Sequence, residues 1–228
     1  NALQATAVRG QLEFRPSETL KIGLMLQRAE NDNEAGNMFQ HVSADDPPPT
    51  FKAIHTPGQP GFGGFIEPTP GDPRDTHSNR DIFLETEQTT GVARVDWSFG
   101  ELDFVSVTGY EETSKDASFD SDGTPFERGT EVHPEGEQFS QEFRLSGQSV
   151  DLGWLVGLYY FDYEIDGSQS RCRPAGCGSN RPPVLYELTT ESIAAFANAD
   201  YRLSDELSVT LGLRWTQEDK EYNLNNTD

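Results

Sequence analysis

Basic residues are scarce in this chain. Seventeen lysines and arginines stand against 39 aspartates and glutamates, a formal charge of −22. Phosphate binding needs a basic surface, so nucleic acid is excluded as a partner. Long apolar runs are missing too, and without a run of roughly 18 such residues there is no transmembrane helix. That does not exclude a membrane, because a β-barrel strand needs only every second residue to be apolar while its loops and lumen face water. The sequence contains no nucleophile elbow, phosphate loop or metal-protease signature. No enzyme activity, catalytic residue or cofactor is therefore expected.

What the chain does have is alternation. From Ser192 onward, Ile193, Ala195, Ala197, Ala199, Tyr201 and Leu203 share one face, and Asn198, Asp200 and Arg202 fall on the other. After a turn at Ser204-Asp205-Glu206 the pattern resumes, with Leu207, Val209, Leu211, Leu213 and Trp215 opposite Ser208, Thr210, Gly212, Arg214, Thr216 and Glu218. An unbroken apolar face against a face with charges of both signs implies lipid on one side and water on the other. The five residues from Leu207 to Trp215 are accordingly the candidate lipid-facing set. Trp215 marks the expected edge of the bilayer.

The same period recurs upstream. Strands are expected over about Ala5–Arg15, from Leu20 through Leu26, Thr86–Phe99, Leu102–Lys115, from Glu137 through Leu145, and Trp154–Tyr163. Two of these resist orientation: Val105 and Val107 oppose Phe104 and Tyr110, and the Trp154–Tyr163 stretch is apolar on both faces. Long polar segments separate the pairs, at about Asn31–Glu85, Asp116–Gly136 and Asp166–Tyr186, the first with Pro47-Pro48-Pro49 and Gly63-Gly64. Connections of that length are usually functional or disordered. About eight strands thus form four hairpins, with short turns at one end of a meander and long loops at the other. Outer-membrane barrels sort their loops in this way, and soluble sandwiches have no reason to.

These residues resemble the barrel of TonB-dependent outer-membrane receptors. The resemblance rests on Ala7-Val8-Arg9-Gly10-Gln11-Leu12, Val107-Thr108-Gly109-Tyr110, Gln138-Phe139-Ser140-Gln141-Glu142-Phe143-Arg144-Leu145, Trp154-Leu155-Val156-Gly157-Leu158-Tyr159-Tyr160 and Leu211-Gly212-Leu213-Arg214-Trp215, five stretches in order over nearly the whole chain. It implies an all-β, antiparallel transmembrane meander forming an open, curved section of a barrel of about 22 strands with a plugged lumen. It further implies residence in the cell outer membrane, outer-membrane lipid around the barrel, and energised uptake of a scarce ligand such as a ferric siderophore. The TonB system would act through the plug. No plug or energy-coupling box precedes Ala5 and no closing strands follow Tyr222, so residues 1–228 read as a middle section of one barrel domain. A passive porin-type channel and a soluble β-sandwich binding module are the alternatives.

Cys172 and Cys177, in a Gly/Pro-rich loop, are expected to form a disulfide, which an oxidising cell surface permits. A half zinc site is the competing idea, with no second ligand pair nearby. His41, His55, His77 and His133 all fall in expected loops, and their spacing matches no ligand motif. Asp120-Ser121-Asp122-Gly123 is similar to the start of a calcium loop, but Gly129 stands where the closing Glu belongs, so a turn is expected. Arg9, Glu13, Arg94, Asp96, Glu142, Arg144, Asp200, Arg202, Arg214 and Glu218 are expected to line the lumen and pair with one another or with a plug.

Overall fold

The computed structural model describes residues 3–33, 80–121, 129–173, 176–177 and 182–225. They form one antiparallel sheet. Its strands are β1 (Leu3–Phe14), β2 (Leu20–Asn33), β3 (Phe83–Phe99), β4 (Leu102–Asp120), β5 (Gly129–Gln148), β6 (Leu152–Arg173), the two-residue β7 (Gly176–Cys177), β8 (Val184–Ser204) and β9 (Leu207–Asn225). Each long strand pairs with the next in the chain, β7 pairs only with the tip of β6, and β1 and β9 are the two edges. The expected eight-strand open meander is therefore the observed one.

The short connections are built for tight reversal. Between β3 and β4 only Gly100 and Glu101 intervene, and Gly100 sits at φ 67°, the left-handed conformation that a two-residue hairpin turn needs at its first position. The amide of Ser98 donates to the carbonyl of Thr19 at 2.8 Å, and that of Arg202 to Asp151 at 2.8 Å, tying neighbouring turns together. A bulge between Arg202 and Ser204 ends β8.

Direct partners in an antiparallel ladder project to the same side, so the registers carry one face across all eight long strands. One such row reads Phe14, Ile22, Val95, Ser106, Phe143, Leu158, Ala195 and Trp215. The opposite face has the row Lys21, Asp96, Val105, Arg144, Gly157, Phe196 and Arg214. One face is apolar and the other wet, as the alternation requires.

Ambiguous strands resolve once partners are known. β4 puts Phe104 and Tyr110 on the apolar face, while Val105 and Val107 lie opposite Arg144 and Glu142. β6 directs Trp154, Val156, Leu158 and Tyr160 to the apolar face, leaving Tyr159, Phe161 and Tyr163 on the polar one. Several strands also outrun their expected ends. β4 continues to Asp120, β5 begins at Gly129, β6 reaches Arg173 and β8 starts at Val184, so much of the two polar segments expected as loops is ladder. Apolar periodicity fades there because water lies on both faces, yet the backbone bonds continue without it.

Among the described residues no second layer covers the sheet. Of the described apolar residues, Ala117, Cys172 and Ala194 are the buried ones, whereas Leu211 and Leu213 are 69% and 79% exposed. A sandwich would place such a face in a core.

Candidate functional site

The polar face carries a paired charge network low on the sheet. Arg94 binds Asp96 at 2.6 Å, Lys21 reaches the same carboxylate at 3.6 Å, and Arg144 pairs with Glu142. Further along, Asp200 accepts from the Thr210 hydroxyl at 2.5 Å, Arg214 donates to Thr216 at 3.0 Å, and Glu218 pairs with Lys220 at 2.9 Å. Of the residues expected to pair with one another, Arg94 with Asp96 and Arg144 with Glu142 do so, while Asp200, Arg214 and Glu218 bind neighbours outside that set. Glu13 pairs with Arg15 at 2.7 Å. Arg202 departs from the expectation: its side chain lies at the short-turn end, donating to the Val150 carbonyl at 2.5 Å.

Beside the ions runs an aromatic column that the sequence pattern did not isolate. Tyr159 and Phe161 stack with centroids 6.4 Å apart, and Tyr163 follows at 6.3 Å from Phe161. The Arg214 guanidinium lies 5.9 Å from the Tyr159 ring and 5.5 Å from that of Phe196, within cation–π range of both. This wall can stack on planar groups and bind charge of either sign.

The other face changes character along the strands. Its apolar band is bordered by aromatic residues, Tyr110, Phe139 and Tyr160 at one end and Trp97, Phe104 and Trp154 at the other. Phe139 and Tyr160 lie 6.2 Å apart. Beyond the first border, towards the long connections, the same face becomes acidic. Glu112 stands directly opposite Glu137, Glu137 opposite Glu164, and Asp166 opposite both Glu135 and Glu187. Like charges so placed are destabilising. Asp166, together with Glu187, Asp162 and Glu137, raises the Glu164 pKa above the usual carboxylate value, with loss of hydration adding to the effect.

Few cations offset this belt. Arg28 binds Glu30 and Glu87, each at 2.7 Å. Arg80 binds Glu131 at 2.7 Å, and Gly129 leaves room for it, since a β-carbon there would come within 2.6 Å of the Arg80 side chain. His133 overturns the expectation that no histidine lies in a strand. It belongs to β5 and its Nδ1 is 2.5 Å from Asp116. His41, His55 and His77 lie outside the described residues, as do Asp122 and Gly123. No group of three or more His, Cys, Asp or Glu among the described residues could hold a metal ion. Cys172 is buried at the tip of β6 and is paired by backbone register with Cys177 of β7.

An open antiparallel meander with a bare apolar face, aromatic borders and a charged opposite face is the wall of a membrane β-barrel. The family is equally plain: the model of the TonB dependent receptor-like β-barrel matches residues 28–228, and the chain belongs to that family. No curated protein matches the chain significantly in sequence. In fold it is similar to the ferric yersiniabactin uptake receptor FyuA from Yersinia pestis, at TM-score 0.68 and 13% identity over 99% of this chain and 32% of that one. The ferric citrate transporter FecA in its unliganded form gives 0.65 and 13% over 97% and 30%. BauA, the ferric preacinetobactin receptor from Acinetobacter baumannii, gives 0.65 and 15% over 98% and 35%. The chain thus spans about a third of the length of these receptors.

Proposed function

We propose that the chain forms part of the barrel wall of an outer-membrane receptor that imports a scarce ligand such as a ferric siderophore, energised by the TonB system through a plug. The apolar band, with Leu207, Val209, Leu211, Leu213 and Trp215, faces outer-membrane lipid. The polar face lines the lumen. Cys172 and Cys177 are joined by a disulfide that pins the outer end of β6. The observation carrying this reading is the apolar face that no second layer covers among the described residues, within a family-matched meander. The ferric ligands named for the three similar receptors support iron as the cargo.

The test is uptake of radioactive iron as a siderophore complex by cells that express or lack the full-length protein, under iron starvation. Uptake should depend both on the protein and on TonB. Iron uptake indifferent to the protein would remove the cargo, and uptake that persists without TonB would remove the energised mechanism.

A further inference from the structure

The aromatic column of the polar face is part of a longer stripe. The ladders of β6, β8 and β9 place one ring in each of six successive rows: Phe196, Tyr159, Phe161, Tyr163, Tyr222 and Tyr186. The stripe runs from the level of Gly157 to that of Gly167 in β6, about 34 Å at the antiparallel rise per residue. That is close to the thickness of a bilayer core. On the same face of β1 to β5 the described residues include one aromatic, Phe119 near the tip of β4. Covering bare backbone accounts for two of the rings, since Phe196 lies over Gly157 and Tyr186 over Gly167. Tyr159, Phe161 and Tyr222 stand opposite Ala194, Ser192 and Leu188 instead, so cover is not the reason for them.

Charge narrows what the stripe carries. At its short-turn end the Arg214 guanidinium stands over Tyr159 and Phe196 and donates to the Thr216 hydroxyl, with no carboxylate partner among the described residues. Three other cations of this face are matched, Arg94 by Asp96, Arg144 by Glu142 and Lys220 by Glu218. A guanidinium without a counter-charge, set beside flat rings, suits an anion that has planar π faces. A neutral sugar would stack on the rings but leave this charge unused. A stripe one ring wide that continues through every level of the wall also offers successive seats rather than a single one. We propose that the stripe is the path along which the cargo crosses the lumen, and that the cargo is an anionic ferric chelate whose iron ligands are carried on aromatic rings, of the phenolate or catecholate class. This rests on the receptor reading above and deepens it by naming the class of ligand.

The test follows radioactive iron into iron-starved cells whose only iron receptor is the full-length protein, with and without TonB. Iron is supplied as its complex with dihydroxybenzoate, with citrate or with desferrioxamine, and surface affinity is read in the cells without TonB. TonB-dependent uptake should favour the dihydroxybenzoate complex. Phe161→Leu, which keeps the apolar bulk and loses the ring, should lower the maximal uptake rate of that complex by about two- to tenfold, the range for one lost ring pair, and leave its surface affinity unchanged. Phe161→Tyr should keep the parental rate, and Arg214→Gln should slow uptake as Phe161→Leu does. Tyr222→Leu, at an exposed position where little packing is disturbed, should slow it as well. Parental rates in both leucine variants overturn the path. So does equal slowing of all three complexes by Phe161→Leu, since the ring would then be holding the plug. Preference for the citrate or desferrioxamine complex, or a rate indifferent to Arg214→Gln, overturns the ligand class. Absence of TonB-dependent uptake of every complex overturns the receptor reading itself, and the path with it.

Discussion

Gly157 has a phenyl ring where its side chain would be. A β-carbon there would come within 2.2 Å of the Phe196 ring, its direct partner across the ladder, and the same ring holds Arg214. Gly167 lies likewise under Tyr186, within 2.2 Å. An aromatic ring laid over a strand glycine covers backbone that would otherwise be bare. Gly157→Ala should therefore displace Phe196 and cost about 1–3 kcal/mol, as other overpacking changes do, whereas Gly23→Ala, with open space above it, should be near neutral. Urea unfolding in detergent micelles compares the two. Nothing along the sequence marks Gly157 out, because the reason for it sits 39 positions away in Phe196. The proposed Cys172–Cys177 disulfide is a second prediction at this scale: a maleimide should label neither cysteine on intact cells until a reductant is added, and immediate labelling of both would refute the bond.

At the scale of the strand, β9 was legible from sequence and β6 was not, for one physical cause. β9 alternates because its polar face meets water and charge, so its period is visible without a partner. β6 places Tyr159, Phe161 and Tyr163 on the polar face, and rings there erase the contrast that periodicity relies on. Orientation came only from the register with β5 and β8. The strand extensions were missed for a related reason, since beyond the aromatic border both faces are polar. That extension carries the acidic belt, and its pH behaviour follows from Glu164. The folded-state pKa of this carboxylate is raised by Asp166 and its other neighbours, so the folded state holds the proton more tightly than the unfolded chain. Its repulsion is fully felt at pH values above the raised folded pKa and is relieved as pH falls through the window between that value and the unfolded one. The outer ends of β5, β6 and β8 should gain amide-exchange protection on mild acidification. Glu164→Gln should give part of that gain at neutral pH and reduce the remaining pH dependence; an unchanged profile would count against the belt as a source of strain.

For the whole molecule, the exposed face sets the environment. Leu211 lies mid-band and Thr210 on the opposite face, hydrogen-bonded to Asp200. In the full-length protein, Leu211→Arg should lower folding into vesicles by about 2–4 kcal/mol and Thr210→Arg by much less. Equal effects would mean that the two faces do not see different solvents. The strand order has one more consequence, for how the wall assembles. Each long ladder joins chain neighbours, but the intervening lengths differ sharply: two residues between β3 and β4, against 49 (34–82) between β2 and β3. Closing the longer segment costs about 3 kcal/mol more in chain entropy. Hairpins should therefore form first as independent units, each nucleated at its tight turn, and zip to one another afterwards across the long connections. The rate of that second stage, rather than strand formation itself, would then limit how fast the wall is completed.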